Sequence, residues 1–475
     1  MRILEGLNPQ KVFYYFEEIS AIPRGSGKTD KVRDYCADFA KARGLDYITD
    51  DSGNIVIFKP ACGKESVEPV IIQGHLDMVW EKDETCRIDF ETDGLELFVD
   101  GDYIGARGTT LGADDGIAVA MCLALLDADD IVHPPLEVVF TADEEVGMTG
   151  VTGLDCSVLK GKRMINLDSE EDGVMWVSCA GGVRADVVLG IGYEDNSENC
   201  FEISVFGLHG GHSGAEIHNG YANANKVLGE VLAELSEKTD FVLCTIGGGA
   251  MDNAITRDSK CVVASDADIC ALVDEVSASV CDKYRKADPD IKISALSCDK
   301  AEKAMTAESS KTAIDLLNEL PSGVITMSKE IEGFVETSLN LGVLKCNNTA
   351  VSCRFAVRSG VDAERDKLCE KLSAIAEKYG ADISFECAYP AWEFKEGSEL
   401  QEKMKQVYRE INGKELTVTG IHAGTEGGIF CGKIKGLDCV SLGPEMHGIH
   451  TPQERLSISS CEKLWNFLIE VLKTA

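Results

Sequence analysis

The stretch that most constrains this chain is residues 136–147, Leu-Glu-Val-Val-Phe-Thr-Ala-Asp-Glu-Glu-Val-Gly. Its first five residues are mostly apolar and rich in β-branched side chains, so they read as a buried strand. The strand then runs into Asp143, Glu144 and Glu145 before Gly147. Buried carboxylates without partners are expensive, so something cationic belongs at this strand end. The reading is a pair of metal ions, with one glutamate binding metal and its neighbour handling protons.

Other segments converge on the same place. Residues 69–73 read as a strand ending at Gly74-His75-Leu76-Asp77, and residues 163–167 as a strand ending at Asp168. Between them, Ile117, Met121, Cys122, Leu125 and Leu126 have helical spacing in a segment over 113–128. Asp114 and Asp115 stand at its start, where acids suit the helix dipole. Strands separated by helices imply a mostly parallel α/β sheet, and such sheets gather ligands at the carboxyl ends of their strands. His75, Glu144, Glu145 and Asp168 all fall there. Each alone has a plain structural reading, as a strand-end histidine, a solvated turn or a helix cap; together they favour a metal site.

A chain of 475 residues is too long for one ordinary core, so two domains are expected. From about residue 183 the pattern changes to strands and helices in the order β, β, α, β, β, α, β. A similar order follows over 309–386, which suggests an internal duplication. After Pro390 the α/β pattern returns. The simplest architecture has a catalytic domain formed by residues 1–182 and 391–475. An α+β lid, for substrate binding or dimerisation, is inserted as residues 183–390.

The net charge of −35 argues against nucleic acid and anionic membrane as partners. No apolar run of about 18 residues marks a membrane span, and the first residues lack the apolar core of a secretory signal. The 19 cysteines show no CxxC pair, and Cys122, Cys244 and Cys353 sit in apolar runs. They read as reduced thiols of a cytoplasmic protein rather than a disulfide framework.

The donors for a metal site are His75, Asp77, Asp114, Glu144, Glu145, Asp168 and His450. Imidazole and carboxylate together suit Zn²⁺, Mn²⁺ or Co²⁺. Two ions about 3.5–4 Å apart need a shared carboxylate, and Asp114, a short acid at a helix start, suits that place.

Gly74-His-Leu-Asp-Met-Val79, Thr110-Leu-Gly-Ala-Asp-Asp-Gly-Ile-Ala118, Thr141-Ala-Asp-Glu-Glu-Val-Gly147, Asn166-Leu-Asp168, Gly210-Gly-His-Ser-Gly214 and His450-Thr-Pro resemble the co-catalytic dinuclear metallopeptidases that include carnosinases and acetylornithine deacetylases. Cys179-Ala-Gly-Gly182 and Ile421-His-Ala-Gly424 extend the resemblance over nearly the whole chain. It implies two divalent metal ions, zinc first. His75 and Asp168 would hold one, Glu145 and His450 the other, and Asp114 would bridge them, joined to Asp115 by a cis peptide. Asp77 would orient His75. Glu144 would be the general base for a hydroxide between the metals, and His212 the donor to the oxyanion, from the second domain of this chain or of a partner subunit. His209 and His218 compete for that last role.

The implied activity is hydrolysis of dipeptides, Xaa-His dipeptides such as β-Ala-His first, by a homodimer. A broader di- or tripeptidase, an N-acyl amino-acid amidohydrolase on the same scaffold and an inactive binding protein are the rivals. For a substrate carboxylate the candidates are Arg358 and the pair Asn253 and Arg257, because an arginine fork suits it. Glu426 is the candidate for the substrate amino group. Its setting, Gly424-Thr-Glu-Gly-Gly428, departs from the Leu-Glu-Cys-Gly more usual in the family, and the Met446-His447 stretch is also unusual. Both departures bear on substrate preference rather than on the metal site.

Overall fold

The computed structural model describes residues 2–474. The chain divides into two compact units. One comprises residues 1–178, 394–420 and 425–475, and the other residues 179–393 and 421–424. The short return of Ile421–Gly424 to the second unit was not expected from the sequence, which assigned everything after residue 390 to the first.

The first unit is built on an eight-stranded sheet. Its four central strands, in the order Leu136–Thr141, Val70–His75, Arg163–Asn166 and Asp438–Ser441, run parallel. Antiparallel neighbours flank them: Ile55–Lys59 on one side and Val174–Cys179 on the other. Val70–His75 and Leu136–Thr141 are buried along their whole length, as expected of continuous apolar runs in a parallel sheet. Each fully buried Ile or Val there, such as Ile71, Ile72, Val138 and Val139, contributes about 1.5–3 kcal/mol. The helix Ala113–Asp127 is buried on nearly every side and packs on Val70–His75 and on helix Gln10–Ser20. It therefore brings its first residues, Asp114 and Asp115, to the carboxyl edge of the sheet. A hairpin, Leu97–Asp100 with Tyr103–Ala106, joins Arg455–Ser457 and Met446–His447 in a small second sheet; residues 80–108 read as irregular in the sequence.

The second unit carries a nine-stranded sheet whose recorded pairings are all antiparallel. One half uses Asn199–Phe206, helix Ala224–Ser236, Val242–Gly248, Ser259–Ser265, helix Ile269–Tyr284 and Lys292–Cys298. Its strands lie in the spatial order fourth, first, third, second. The other half uses Gly181–Gly190, helix Ala307–Glu319, Val335–Cys346, Ala350–Ser359, helix Asp362–Tyr379 and Asp382–Tyr389. It has the same strand order, and the two second strands meet at Gly248 and Leu344. The halves are nested rather than successive, because the first strand of the second half precedes the whole of the first half in the chain. One apolar core, from Val183 through Ala376, spans both.

Candidate active site

Strand Val70–His75 ends at His75, and the sheet edge there leaves no space for side chains behind it. A Cβ on Gly74 would lie 2.5 Å from Asp115 Oδ2 and 2.7 Å from the Cβ of Ala118, so glycine is required. Asp115 Oδ2 in turn accepts the backbone N–H of His75 at 3.1 Å. The peptide bond between Asp114 and Asp115 is cis.

The side chains of five predicted ligands come together. His75 Nε2 lies 3.0 Å from Asp114 Oδ1 and 3.4 Å from Asp168 Oδ1. His450 Nε2 lies 3.1 Å from Asp114 Oδ2 and 2.9 Å from Glu145 Oε1. Two groups result, His75–Asp114–Asp168 and Asp114–Glu145–His450, and in each the donor atoms lie within 4.8 Å of one another. Asp114 belongs to both and turns one oxygen to each histidine. Asp143 and His450 adopt left-handed backbone conformations (φ 55° and 59°), which non-glycine residues accept at a cost and which cluster at functional sites.

Asp77 is buried beneath this group. Its carboxylate lies 3.3 Å from His75 Nδ1 and accepts Ser26 Oγ–H at 2.8 Å and the backbone N–H groups of Glu144 and Glu145 at 3.0 and 3.3 Å. One side chain thus aligns the histidine at the end of one strand with the glutamate turn after the next.

The electrostatics follow from burying acids together. Burial, with Asp114 and Glu145 nearby, raises Asp168 to about 6. Burial raises Glu144 well above the usual carboxylate range, with Asp168, Glu426 and Glu145 adding to it. Hydrogen bonds to Asp114 and Glu145 raise His450 to about 11. For His75 burial opposes protonation, but Asp168, Asp114 and Asp77 outweigh it and the pKa rises. Both imidazoles are thus drawn toward the cationic form, which marks where the acids call for positive charge.

Glu426 begins helix Glu426–Lys433 and is fully buried. Its Oε2 accepts from Thr141 Oγ1 at 2.7 Å and Gln73 Nε2 at 2.5 Å, and burial raises it to about 8. A substrate ammonium would have to displace those donors to reach that oxygen.

The remaining predicted residues lie in the second unit. His212 Nδ1 accepts the N–H of Ala215 at 3.2 Å, which makes Nε2 the N–H donor of a neutral ring. Burial, then the charge of Arg358, lowers its pKa. Its loop pairs with the Asn253 segment: Ser213 N–H donates to Asn253 O at 2.7 Å and Ile255 N–H to Gly211 O at 2.8 Å. Arg257 lies along Gly210, its Nε donating to Leu208 O at 3.2 Å. Arg358 is largely buried and donates to the Tyr389 hydroxyl at 3.0 Å. His422 is nearby in charge terms, and its Nε2 meets Ser338 Oγ at 2.7 Å. Of the competing histidines, His209 has its Nδ1 committed to buried Asp288 at 2.9 Å and stacks on Tyr221, while His218 sits in the short turn Ile217–Asn219.

Three further residues at the first unit's site were not singled out from the sequence. Glu170 follows Asp168 and is raised to about 7 by burial, with Asp114 and Asp168 adding to it. Arg24 and Glu454 are buried against the backbone that carries the ligands. Arg24 lies in the Pro-Arg-Gly loop and Glu454 four residues beyond His450; only the second spacing hints at a role.

Peptidase family M20/M25/M40 matches residues 71–474, from the strand bearing His75 to the last helix. The chain belongs to this peptidase family. It is a peptide-bond hydrolase. Over 480 aligned residues it is 36% identical to the cytosol non-specific dipeptidase of Escherichia coli K12, covering 100% of this chain and 99% of that protein. Its fold matches the crystal structure of aminoacylhistidine dipeptidase from Vibrio alginolyticus with a TM-score of 0.95 at 35% identity, covering 99% and 98% of the two chains. Aminopeptidase PepT from Bacillus cereus shares the fold at 16% identity and a TM-score of 0.58, with 98% of each chain covered. Among the described residues no helix is long and apolar enough to cross a membrane.

Proposed function

We propose that the chain is a cytoplasmic dipeptidase working with two divalent cations, and that Xaa-His dipeptides such as β-Ala-His are among its substrates. The observation that carries this is Asp114, whose two oxygens face two different histidines at 3.0 and 3.1 Å. The donor set fits the cations, since imidazole nitrogen and carboxylate oxygen suit Zn²⁺, Mn²⁺ and Co²⁺ alike. The crowd of buried acids also lacks enough positive charge of its own. His75 and Asp168 would hold one ion, Glu145 and His450 the other, with Asp114 shared. Such ions supply Lewis acidity, polarising a carbonyl and making water more acidic.

The chain's own groups do the rest. Glu144 takes a proton from the attacking water and later gives it to the leaving amine. Asp77 keeps His75 oriented and its tautomer fixed, and ties that histidine to the turn carrying Glu144. His212, through Nε2–H, donates to the oxygen that becomes negative as the carbonyl is attacked. Arg358, flanked by Tyr389, is the proposed partner of the free substrate carboxylate, with Asn253 and Arg257 alongside the His212 loop. Glu426 is the proposed partner of the substrate ammonium through Oε1, which has no hydrogen-bond partner among the described residues, while Oε2 keeps its bonds to Thr141 and Gln73.

The named activities of the Escherichia coli and Vibrio relatives support a dipeptidase but differ in breadth. A panel of β-Ala-His, Gly-Leu and an N-acetyl amino acid, assayed with added Zn²⁺, Mn²⁺ or Co²⁺, decides between them. Hydrolysis of both dipeptides but not the acyl compound is expected. Cleavage of the acyl compound alone would make the chain an amidohydrolase, and no hydrolysis of any would leave a binding protein.

A further inference from the structure

The five predicted ligands sit on separate pieces of backbone, and two buried side chains lace those pieces together. Arg24 donates through Nη1 to the carbonyls of Leu76 and Asp77, at 3.0 and 3.1 Å, directly after His75. Through Nη2 it donates to the carbonyl of Gly112, two residues before Asp114. The guanidinium, with Met78 beside it, fills the space in front of two glycines. A Cβ on Gly112 would lie 2.6 Å from Nη2, and one on Gly116 would lie 2.3 Å from it. Gly112 is also left-handed (φ 63°), so that turn needs glycine for its conformation as well as its size.

Glu454 reaches the same turn from the other direction. Its Oε2 accepts the N–H groups of Leu111 and Gly112 at 2.7 and 3.0 Å, and its Oε1 that of Ala113 at 2.8 Å. Three consecutive backbone donors immediately before Asp114 are thus held by a residue four positions after His450.

We propose that Arg24 and Glu454 are positioning residues that fix the separation of the two cation sites, by clamping the Leu111–Ala113 turn to the His75 loop and to the His450 loop. The chain of bonds runs from the carbonyls after His75, through Arg24 to Gly112, into Asp114, and from residues 111–113 through Glu454 to His450. Asp114 is the ligand that both sites share, so the turn before it is where a small displacement disturbs both ions. Neither side chain touches the reacting atoms. The planar guanidinium addresses three carbonyls at once, a geometry that lysine's single ammonium does not reproduce. The paired carboxylate oxygens accept three N–H groups, and an amide would turn one of its own donors toward them.

The inference rests on the two-cation reading above, and the experiment separates their failures. Cation affinity and stoichiometry are measured by competition with a chelator, using Zn²⁺ and Co²⁺, for the wild-type chain, Arg24→Lys, Glu454→Gln and Glu137→Gln. Glu137 is the control: it too is a buried carboxylate accepting backbone N–H groups, those of Lys160 and Gly161, but at the opposite end of its strand. Melting of each metal-free chain is recorded alongside. Arg24→Lys and Glu454→Gln should weaken binding of both ions by about 10–100-fold, while Glu137→Gln binds as the wild type does. At saturating metal their kcat should stay below the wild-type value with KM little changed. Wild-type affinity in a folded Glu454→Gln chain, or equal weakening in Glu137→Gln, overturns the clamp. If Arg24→Lys does not fold, Glu454→Gln alone decides. Uptake of fewer than two ions by the wild-type chain overturns the two-cation reading instead, and the clamp with it.

Discussion

At the amino end of strand Leu136–Thr141 the Glu137 carboxylate meets the backbone N–H groups of Lys160 and Gly161 at 2.9–3.0 Å, whereas beyond the other end Asp114, Glu145 and Asp168 face two imidazoles and one another. Glu137 is buried and the other three are partly buried, all in the same unit. Glu137 has its donors supplied by the fold and needs nothing more. The three acids at the carboxyl end outnumber the two imidazoles that face them, so their charge is not balanced even with His75 and His450 protonated, and burial, with Asp114 and Glu145 adding to it, raises Asp168 to about 6. The difference separates a carboxylate that serves the backbone from the group of carboxylates proposed above to hold cations. What distinguishes them is the identity of the partners.

The sharpest way to break this comparison is to remove the residue common to both ligand groups. Asp114→Asn should abolish binding of both ions, and the fall in kcat/KM should exceed the roughly 100-fold cost of losing an outer hydrogen bond at a metal site. Retention of two tightly bound ions in that variant, measured by metal analysis after dialysis, would show that Asp114 is not shared. Next in size is Glu144→Gln. This side chain lies beside Glu145 but belongs to neither ligand group, so the variant should bind two ions normally and lose activity by about 10²–10⁴-fold. A Glu144→Gln chain that hydrolyses dipeptides at the wild-type rate would remove it as the base.

Glu137→Gln sharpens the other side of the comparison. It turns an amide N–H₂ toward backbone donors, at a cost of about 1–3 kcal/mol for an unsatisfied buried group. A lower urea midpoint with unchanged dipeptidase activity is expected. A loss of activity without a loss of stability would mean that the two ends of the strand are coupled.

These contrasts also explain what the sequence made legible. His75, Glu144, Glu145 and Asp168 stood out because each interrupts the pattern of a buried strand just where that strand ends, and such an interruption is local. Asp114 alone reads as a helix cap, since acids suit a helix start; it becomes a candidate only because the other donors converge on the same sheet edge. Arg24 was not legible, since nothing in Ile-Pro-Arg-Gly tells which carbonyls a guanidinium will meet some 50 and 90 residues later. Glu426 was singled out only beside the family resemblance, and its place depends on bonds to Gln73 and Thr141, far away in sequence. The hairpin Leu97–Ala106 was missed because it lies in an acidic segment with little apolar alternation. The nested halves of the second unit were missed because element order does not say which strand a distant strand will pair with; the register Ala350–Gly190 through Ser359–Gly181 is a long-range choice.

The smallest expected effect concerns a neutral histidine in the second unit, where no acid crowd exists to hold a proton. Burial lowers His422 to about 3, and the charge of Arg358 adds to this, with His218 contributing in the same direction; a backbone hydrogen bond at Val335 opposes them. In the unfolded chain the same imidazole titrates near 6.5. Between these values the unfolded state binds more protons than the folded one, so stability rises with pH across the interval. This contribution is therefore complete above about pH 6.5 and is lost progressively as pH falls toward 3, at no more than about 1.4 kcal/mol per pH unit. Carboxylates elsewhere also titrate in this range, so the measurable quantity is the difference between the wild-type chain and His422→Gln, which can still bond Ser338. Urea unfolding at pH 7, 6, 5 and 4 should give the variant the shallower slope. Identical slopes would mean that His422 accepts a proton in the folded state, and the neutral ring against Ser338 and Arg358 would then be wrong. His75 and His450 contrast with it, because among acids their imidazoles gain protons on folding, whereas His422, beside a buried guanidinium, is kept from taking one.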